Sequence, residues 1–217
     1  LRSALRRYIA HAGLDPSFPE LSVPSRSFSK TLRTSSPSMG KNKLSRFAEN
    51  ATFAHVVQPT FRELQAAVLP YRGKWNSAFF KREAPLVLEL GCGGGEYTVG
   101  LARLQPEKNY IGVDIKGARI WRGAKTAREE GLANVGFLRT HVDHILRCFG
   151  QHEVSEIWLT FSDPQIGKAR KRLTSPLFLA RYKQILQPGT QAAHRGKQRH
   201  RLFRTGSPCL APRAGRA

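Results

Sequence analysis

Acidic side chains are scarce in this sequence. Asp and Glu number 15 against 36 Lys and Arg over 217 residues, for a formal net charge of +21. That shortage leaves nucleic acid as the default partner, because each phosphate contact releases condensed counterions. An acidic membrane surface is the weaker alternative. Long apolar runs are missing as well: no stretch of about 18 apolar residues exists, so nothing reads as a spanning helix. Cysteine is sparse, and Cys92, Cys148 and Cys209 show no metal-ligand spacing. An odd count with no signal peptide argues for a reducing, cytoplasmic compartment and against a disulfide framework. Methionine occurs once, at Met39.

Composition divides the chain. Residues 1–38 are rich in Ser, Pro and Arg and show no sustained periodicity. They are expected to be a non-native or disordered leader, read through from upstream of a start at Met39; the rival reading is a clipped transit peptide. Residues 39–84 form a basic N-terminal segment, and residues 85–189 a core. Residues 190–217 hold seven Lys and Arg and no acid. Their apolar residues follow neither a 2 nor a 3.6 period, as in a basic RNA-binding tail or an out-of-frame stretch. Residues 39–189 alone carry 23 Lys and Arg against 13 Asp and Glu, so the basic character does not depend on either end.

The core alternates strand and helix. Leu86–Leu90 is a short apolar run stopped by glycines, the pattern of a buried parallel strand. Further strands are expected at Tyr110–Asp114, Val135–Arg139 and Glu156–Phe161. Helices are expected at Tyr97–Leu104, Ala118–Glu130, Asp143–Phe149 and Leu177–Leu186, the last closed by Pro188 and Gly189. This alternation implies an α/β fold with a Rossmann-like parallel sheet. Ligands in such sheets bind beyond the carboxyl ends of the strands, so the residues following each strand are the candidates.

After the first strand, Gly91 and Gly93 permit a tight turn that lets backbone approach a ligand. The sixth position of a dinucleotide fingerprint would be glycine but is Glu96, and Glu89 precedes the loop. Negative charge there opposes a pyrophosphate and suits a cation such as S-adenosylmethionine, with its sulfonium and ammonium; the bland alternative is a generic tight turn. Asp114 closes the second strand where a ribose-binding acid belongs, a feature shared with nicotinamide cofactors. Thr140 and His141 would flank an adenine, although His141 reads equally as a surface loop histidine. After the fourth strand, Asp163 precedes Pro164, which pushes its backbone towards extended geometry. Its carboxylate could accept from N1–H and the exocyclic amine of guanine. Next come Lys168, Arg170, Lys171 and Arg172, four cations in five residues, suited to RNA phosphates or simply solvated.

Taken together, these motifs resemble the bacterial tRNA (guanine-N7-)-methyltransferase family. Met39–Asn50 with Val57–Pro59 is similar to its basic N-terminal segment. Glu89–Gly95 is similar to its cofactor loop, and Phe161–Gln165 with Lys168–Leu173 to its substrate signature. The resemblance implies methylation of guanosine in the tRNA variable loop with S-adenosylmethionine and no metal. It implies Glu89, Gly91, Gly93, Asp114 and His141 for the cofactor, Asp163 as the catalytic residue, and Lys168 with its neighbours for the substrate. Ser162 stands where the family has Pro, His141 where it has an acid or amide, and Gly167 where it commonly has Lys. The family's fifth strand, ending in Lys-Thr-Asp, has no counterpart in residues 190–217, so the sheet is expected to be incomplete after strand four. The alternatives are a catalytically inactive RNA-binding protein or truncated copy, and an rRNA methyltransferase. A dehydrogenase is disfavoured by Glu96.

Overall fold

Apolar strands flanked by helices fold here into one seven-stranded sheet, in the order β1 (Val56–Val57), β4 (Val135–Arg139), β3 (Asn109–Asp114), β2 (Leu86–Leu90), β5 (Glu156–Thr160), β6 (Gln191–Arg195), β7 (His200–Arg204). The computed structural model describes residues 39–160, 165, 167–189, 191–195 and 200–204. The leader assigned to residues 1–38 lies outside the described residues, as does most of the basic tail.

At the centre, β2 (Leu86–Leu90) is buried at all five positions, as a strand covered on both faces must be. It pairs in parallel with β3 (Asn109–Asp114) on one side and β5 (Glu156–Thr160) on the other, with Leu88 opposite both Ile111 and Ile157. Next to β3 lies β4 (Val135–Arg139), also parallel. The connecting helices are α3 (Glu96–Leu104) after β2 and α4 (Gly117–Glu129) after β3. A 3-10 turn, Val142–His144, and the short α5 (Ile145–Cys148) follow β4, and α6 (Pro176–Ile185) follows β5. These bounds match the sequence expectations to within a residue, except that the single helix expected at Asp143–Phe149 is divided in two. Proline at the start of α6 needs no helical hydrogen-bond partner for its missing N–H.

Helix α4 buries Gly117, Ile120, Gly123, Ala124 and Ala127, a face of small residues on a helical period. A Cβ on Gly123 would meet the Phe137 ring at 2.7 Å and the Gly94 carbonyl oxygen at 2.8 Å. The absence of that atom lets α4 lie directly against the loop that follows β2.

Residues 39–84 contribute to the same sheet and core. Helix α1 (Met39–Asn50) packs on α4, where Asn50 Nδ2 donates to the Gly117 carbonyl at 2.7 Å and Trp121 Nε1 donates to Glu49 at 2.6 Å. Strand β1 (Val56–Val57) pairs in parallel with β4. Helix α2 (Phe61–Ala66) starts with a capping box between Thr60 and Glu63, which satisfies two otherwise orphaned amides. A π-helical turn, Trp75–Phe80, carries fully buried Trp75, whose indole stacks on Phe149 and donates to the Cys148 carbonyl at 2.9 Å.

The sheet does not stop at strand four. Beyond β5, β6 (Gln191–Arg195) pairs in parallel and β7 (His200–Arg204) pairs antiparallel with β6. The expectation of an incomplete sheet rested on the absence of the family's Lys-Thr-Asp strand from residues 190–217. An exposed strand edge offers a row of unpaired backbone N–H and C=O groups, and an extended segment can satisfy them whatever its side chains.

Candidate cofactor and RNA site

The carboxyl ends of β2, β3 and β4 open onto one cleft of about 610 Å³, walled by Gly91, Asp114, Ile115, Thr140, His141, Gln165, Arg170 and Lys171, among others. Its size falls within the range of small-molecule sites, about 300–1,000 Å³. Sequence reasoning placed chemistry at these strand ends, and Gly91, Asp114, His141, Arg170 and Lys171 converge there.

The floor is the turn after β2. Gly91 and Gly93 have φ of 77° and 58°, in the left-handed region that favours glycine. The amides of Gly91 and Cys92 both donate to the Val113 carbonyl, at 2.8 and 3.1 Å, which binds the turn to the end of β3. Asp114 completes that attachment. Its Oδ2 accepts from the Gly93 amide at 3.0 Å and its Oδ1 from the Lys116 amide at 2.8 Å. A carboxylate has about four acceptor positions, so capacity remains for a ligand.

Glu89 lies beneath the turn, 4 % exposed. One carboxylate oxygen accepts from Thr98 Oγ1 on α3 at 2.5 Å, and the other accepts from Thr160 Oγ1 at the end of β5. Burial pushes its carboxyl up to about 7; the Thr160 and Thr98 hydrogen bonds oppose the shift, and nearby Glu96 adds to it. Burial and the adjacent Glu89 and Asp114 charges likewise raise the Cys92 thiol well above its ordinary value, so this buried thiol stays protonated and unreactive.

On the β4 side, His141 Nδ1 sits against the Asp143 carboxylate, whose other oxygen accepts from Arg181 on α6 at 2.7 Å. His141 is thus both a surface loop residue and part of the cleft wall. Opposite, Lys168, Arg170, Lys171 and Arg172 are all exposed on and around a 3-10 turn, Ala169–Lys171. Arg170 and Lys171 line the cleft, whereas Lys168 and Arg172 flank it. Leu173 brings this basic segment over the glycine turn, its Cδ1 lying 3.7 Å from where a Gly91 Cβ would stand. Asp163 lies outside the described residues.

Sequence reasoning missed the two threonines that hold Glu89, and Ile115, which is 47 % exposed on the cleft wall. A polar residue closing the apolar run of β5 was the available signal for Thr160. Among the described residues no group of three or more His, Cys, Asp or Glu could hold a metal ion, and no helix is long and apolar enough to cross a membrane.

The chain matches a protein-family model described as "Putative methyltransferase" over residues 83–195. It is 58 % identical over 149 residues to a tRNA (guanine-N(7)-)-methyltransferase of Christiangramia forsetii, covering 68 % of this chain and 66 % of that protein. Against the protein of the same name from Bacteroides fragilis it is 55 % identical over 148 residues, with 68 % and 59 % covered. Against that of Cytophaga hutchinsonii it is 42 % identical over 153 residues, with 70 % and 67 % covered. The chain thus spans between 59 % and 67 % of these relatives' lengths. With the glycine turn, the acids at the strand ends and the basic segment all inside the matched span, the chain belongs to the tRNA (guanine-N(7)-)-methyltransferase family.

Proposed function

We propose that this chain transfers a methyl group from S-adenosylmethionine to N7 of a guanosine in the tRNA variable loop, in the cytoplasm. The observation that carries the reading is the matched span of residues 83–195, which contains every candidate site residue from Glu89 to Arg172.

The cleft suits the methyl donor on its own chemistry. Asp114, at the end of β3, would accept from the ribose hydroxyls. Glu89 beneath the turn and Glu96 behind it give the floor the negative field that a sulfonium and an ammonium require. Gly91 and Gly93 carry no side chain that would bar a close approach to the turn, and His141 stands on the wall where an adenine edge would lie. When bound, the donor supplies an electrophilic methyl carbon.

Asp163 takes the catalytic role, its carboxylate accepting from N1–H and the exocyclic amine of guanine and so fixing the base. N7 carries a free lone pair at neutral pH, so no strong base is needed and the protein's contribution is alignment. Lys168, Arg170, Lys171 and Arg172 hold RNA phosphates, which position the strand without reading its sequence.

Tritium transfer from labelled S-adenosylmethionine to bulk tRNA, followed by nucleoside analysis, tests the reading. Label in 7-methylguanosine supports it. Label in rRNA alone overturns the substrate. RNA binding with no transfer to any RNA leaves an inactive RNA-binding protein.

A further inference from the structure

A buried carboxylate is costly unless its oxygens are satisfied, and the two groups that satisfy Glu89 come from different parts of the fold. Thr98 is on α3, nine residues along the chain, and is 1 % exposed. Thr160 ends β5, 71 residues along the chain, and is 4 % exposed. Resting on the function proposed above, we propose that Thr98 and Thr160 are positioning residues for methyl transfer: by donating to the two oxygens of Glu89 they fix this carboxylate beneath the glycine turn and join the cofactor strand to the strand that leads to Asp163.

Both hydroxyls act as donors here, because a carboxylate has nothing to give them. Such bonds favour the charged form, and both threonines do oppose the upward shift that burial imposes on Glu89. The other titratable groups around it are Glu96 on α3 and Cys92 in the turn, and Cys92 itself feels Asp114 on β3. All three are acids, so what this pocket offers in favour of the anion is the two hydroxyls together with the Thr98 backbone amide. Neither threonine is among the residues that line the cleft, so each works through Glu89.

The consequence is a pH signature in cofactor binding. Losing one hydroxyl should raise the titration of Glu89 by about one unit, tenfold in its protonation equilibrium. Calorimetric binding of S-adenosylhomocysteine to the full chain, from pH 6 to 9, reads this directly. For Thr160→Val the expected loss of affinity relative to wild type is about tenfold at pH 6 and about threefold at pH 7.5, vanishing above pH 9. Thr98→Val should behave alike, which keeps the test open should one variant fail to fold. Thr160→Ser, which keeps the hydroxyl, should restore the wild-type profile. In the ligand-free protein, the pH at which urea stability stops falling should move upward by the same unit in both valine variants. A valine variant whose losses are equal at every pH would mean a packing defect and would overturn the positioning role. Wild-type protein that fails to bind S-adenosylhomocysteine at all would instead bring down the proposed function itself.

Discussion

Replacing Glu89 by Gln should make the ligand-free protein more stable at pH 8 while weakening cofactor binding. The glutamate begins near 4.5 in the unfolded chain and is pushed up to about 7 in the fold. A group whose folded value is raised favours the fold only while it is protonated. Its stabilising share is complete below 4.5 and is lost as pH climbs through 7. At about 1.36 kcal/mol per unit, the gap amounts to roughly 3 kcal/mol lost between those limits. Glutamine keeps the shape, carries no charge, and can hydrogen-bond both Thr98 and Thr160 once their hydroxyls rotate. Glu89→Gln should therefore equal wild type near pH 4.5 and exceed it by about 1–3 kcal/mol at pH 8, where wild type carries the full desolvation cost. For a chain of this size that is about 3–9 °C in melting temperature. Thermal and urea melts of both proteins at pH 4.5, 6 and 8 make the comparison, and the difference between them cancels every other titrating group. A gap that stays constant across that range, or a glutamine variant that is the less stable at pH 8, would refute the reasoning. Natural retention of the costlier residue is the pattern expected where a group serves function at the expense of stability.

Further outcomes follow from other sites. Gly123→Ala should destabilise by about 1–3 kcal/mol, against the usual helical preference, because its Cβ would meet Phe137, the Gly94 carbonyl and Gly95 within 3.0 Å. Gly100→Ala, in α3 with nothing within 4 Å, should stabilise by about 0.5–1 kcal/mol; paired urea melts compare the two signs. Trp75→Ala removes a fully buried ring with its stacking on Phe149, and should cost about 3–5 kcal/mol in the same melts. Asp114→Ala, which frees the Gly93 and Lys116 amides, should weaken S-adenosylhomocysteine binding about 10–100-fold by calorimetry; undiminished affinity would remove Asp114 from the cofactor site.

The core was legible because its signals are local. Leu86–Leu90 is apolar at four of five positions and ends at glycines, and the expected strand coincides with β2. The ends of α3, α4 and α6 were set by Gly, Pro and the helical period, and hold to within a residue. Residues 39–84 were not legible as structure. Strand β1 is only Val56–Val57, too short for any period to register. The π-helical turn Trp75–Phe80 follows no ordinary spacing, and tertiary packing around Trp75 accompanies it. The strands β6 and β7 were missed for a related reason: backbone pairing can recruit a segment that side-chain patterning does not mark.

By itself, then, the sequence determined the alternation of strands and helices, the glycine turn at Glu89–Gly95, the acid at Asp114 and the basic segment at Lys168–Arg172. Each is written in neighbouring residues, where periodicity, glycine and charge act over a few positions. Only the tertiary structure decided that Thr98 and Thr160 take the two oxygens of Glu89, and that Arg170 and Lys171, rather than Lys168 and Arg172, line the cleft. Those outcomes depend on strand order: β2 lies between β3 and β5, which sets residues 71 positions apart within hydrogen-bonding reach, and no local pattern encodes a neighbour so distant along the chain.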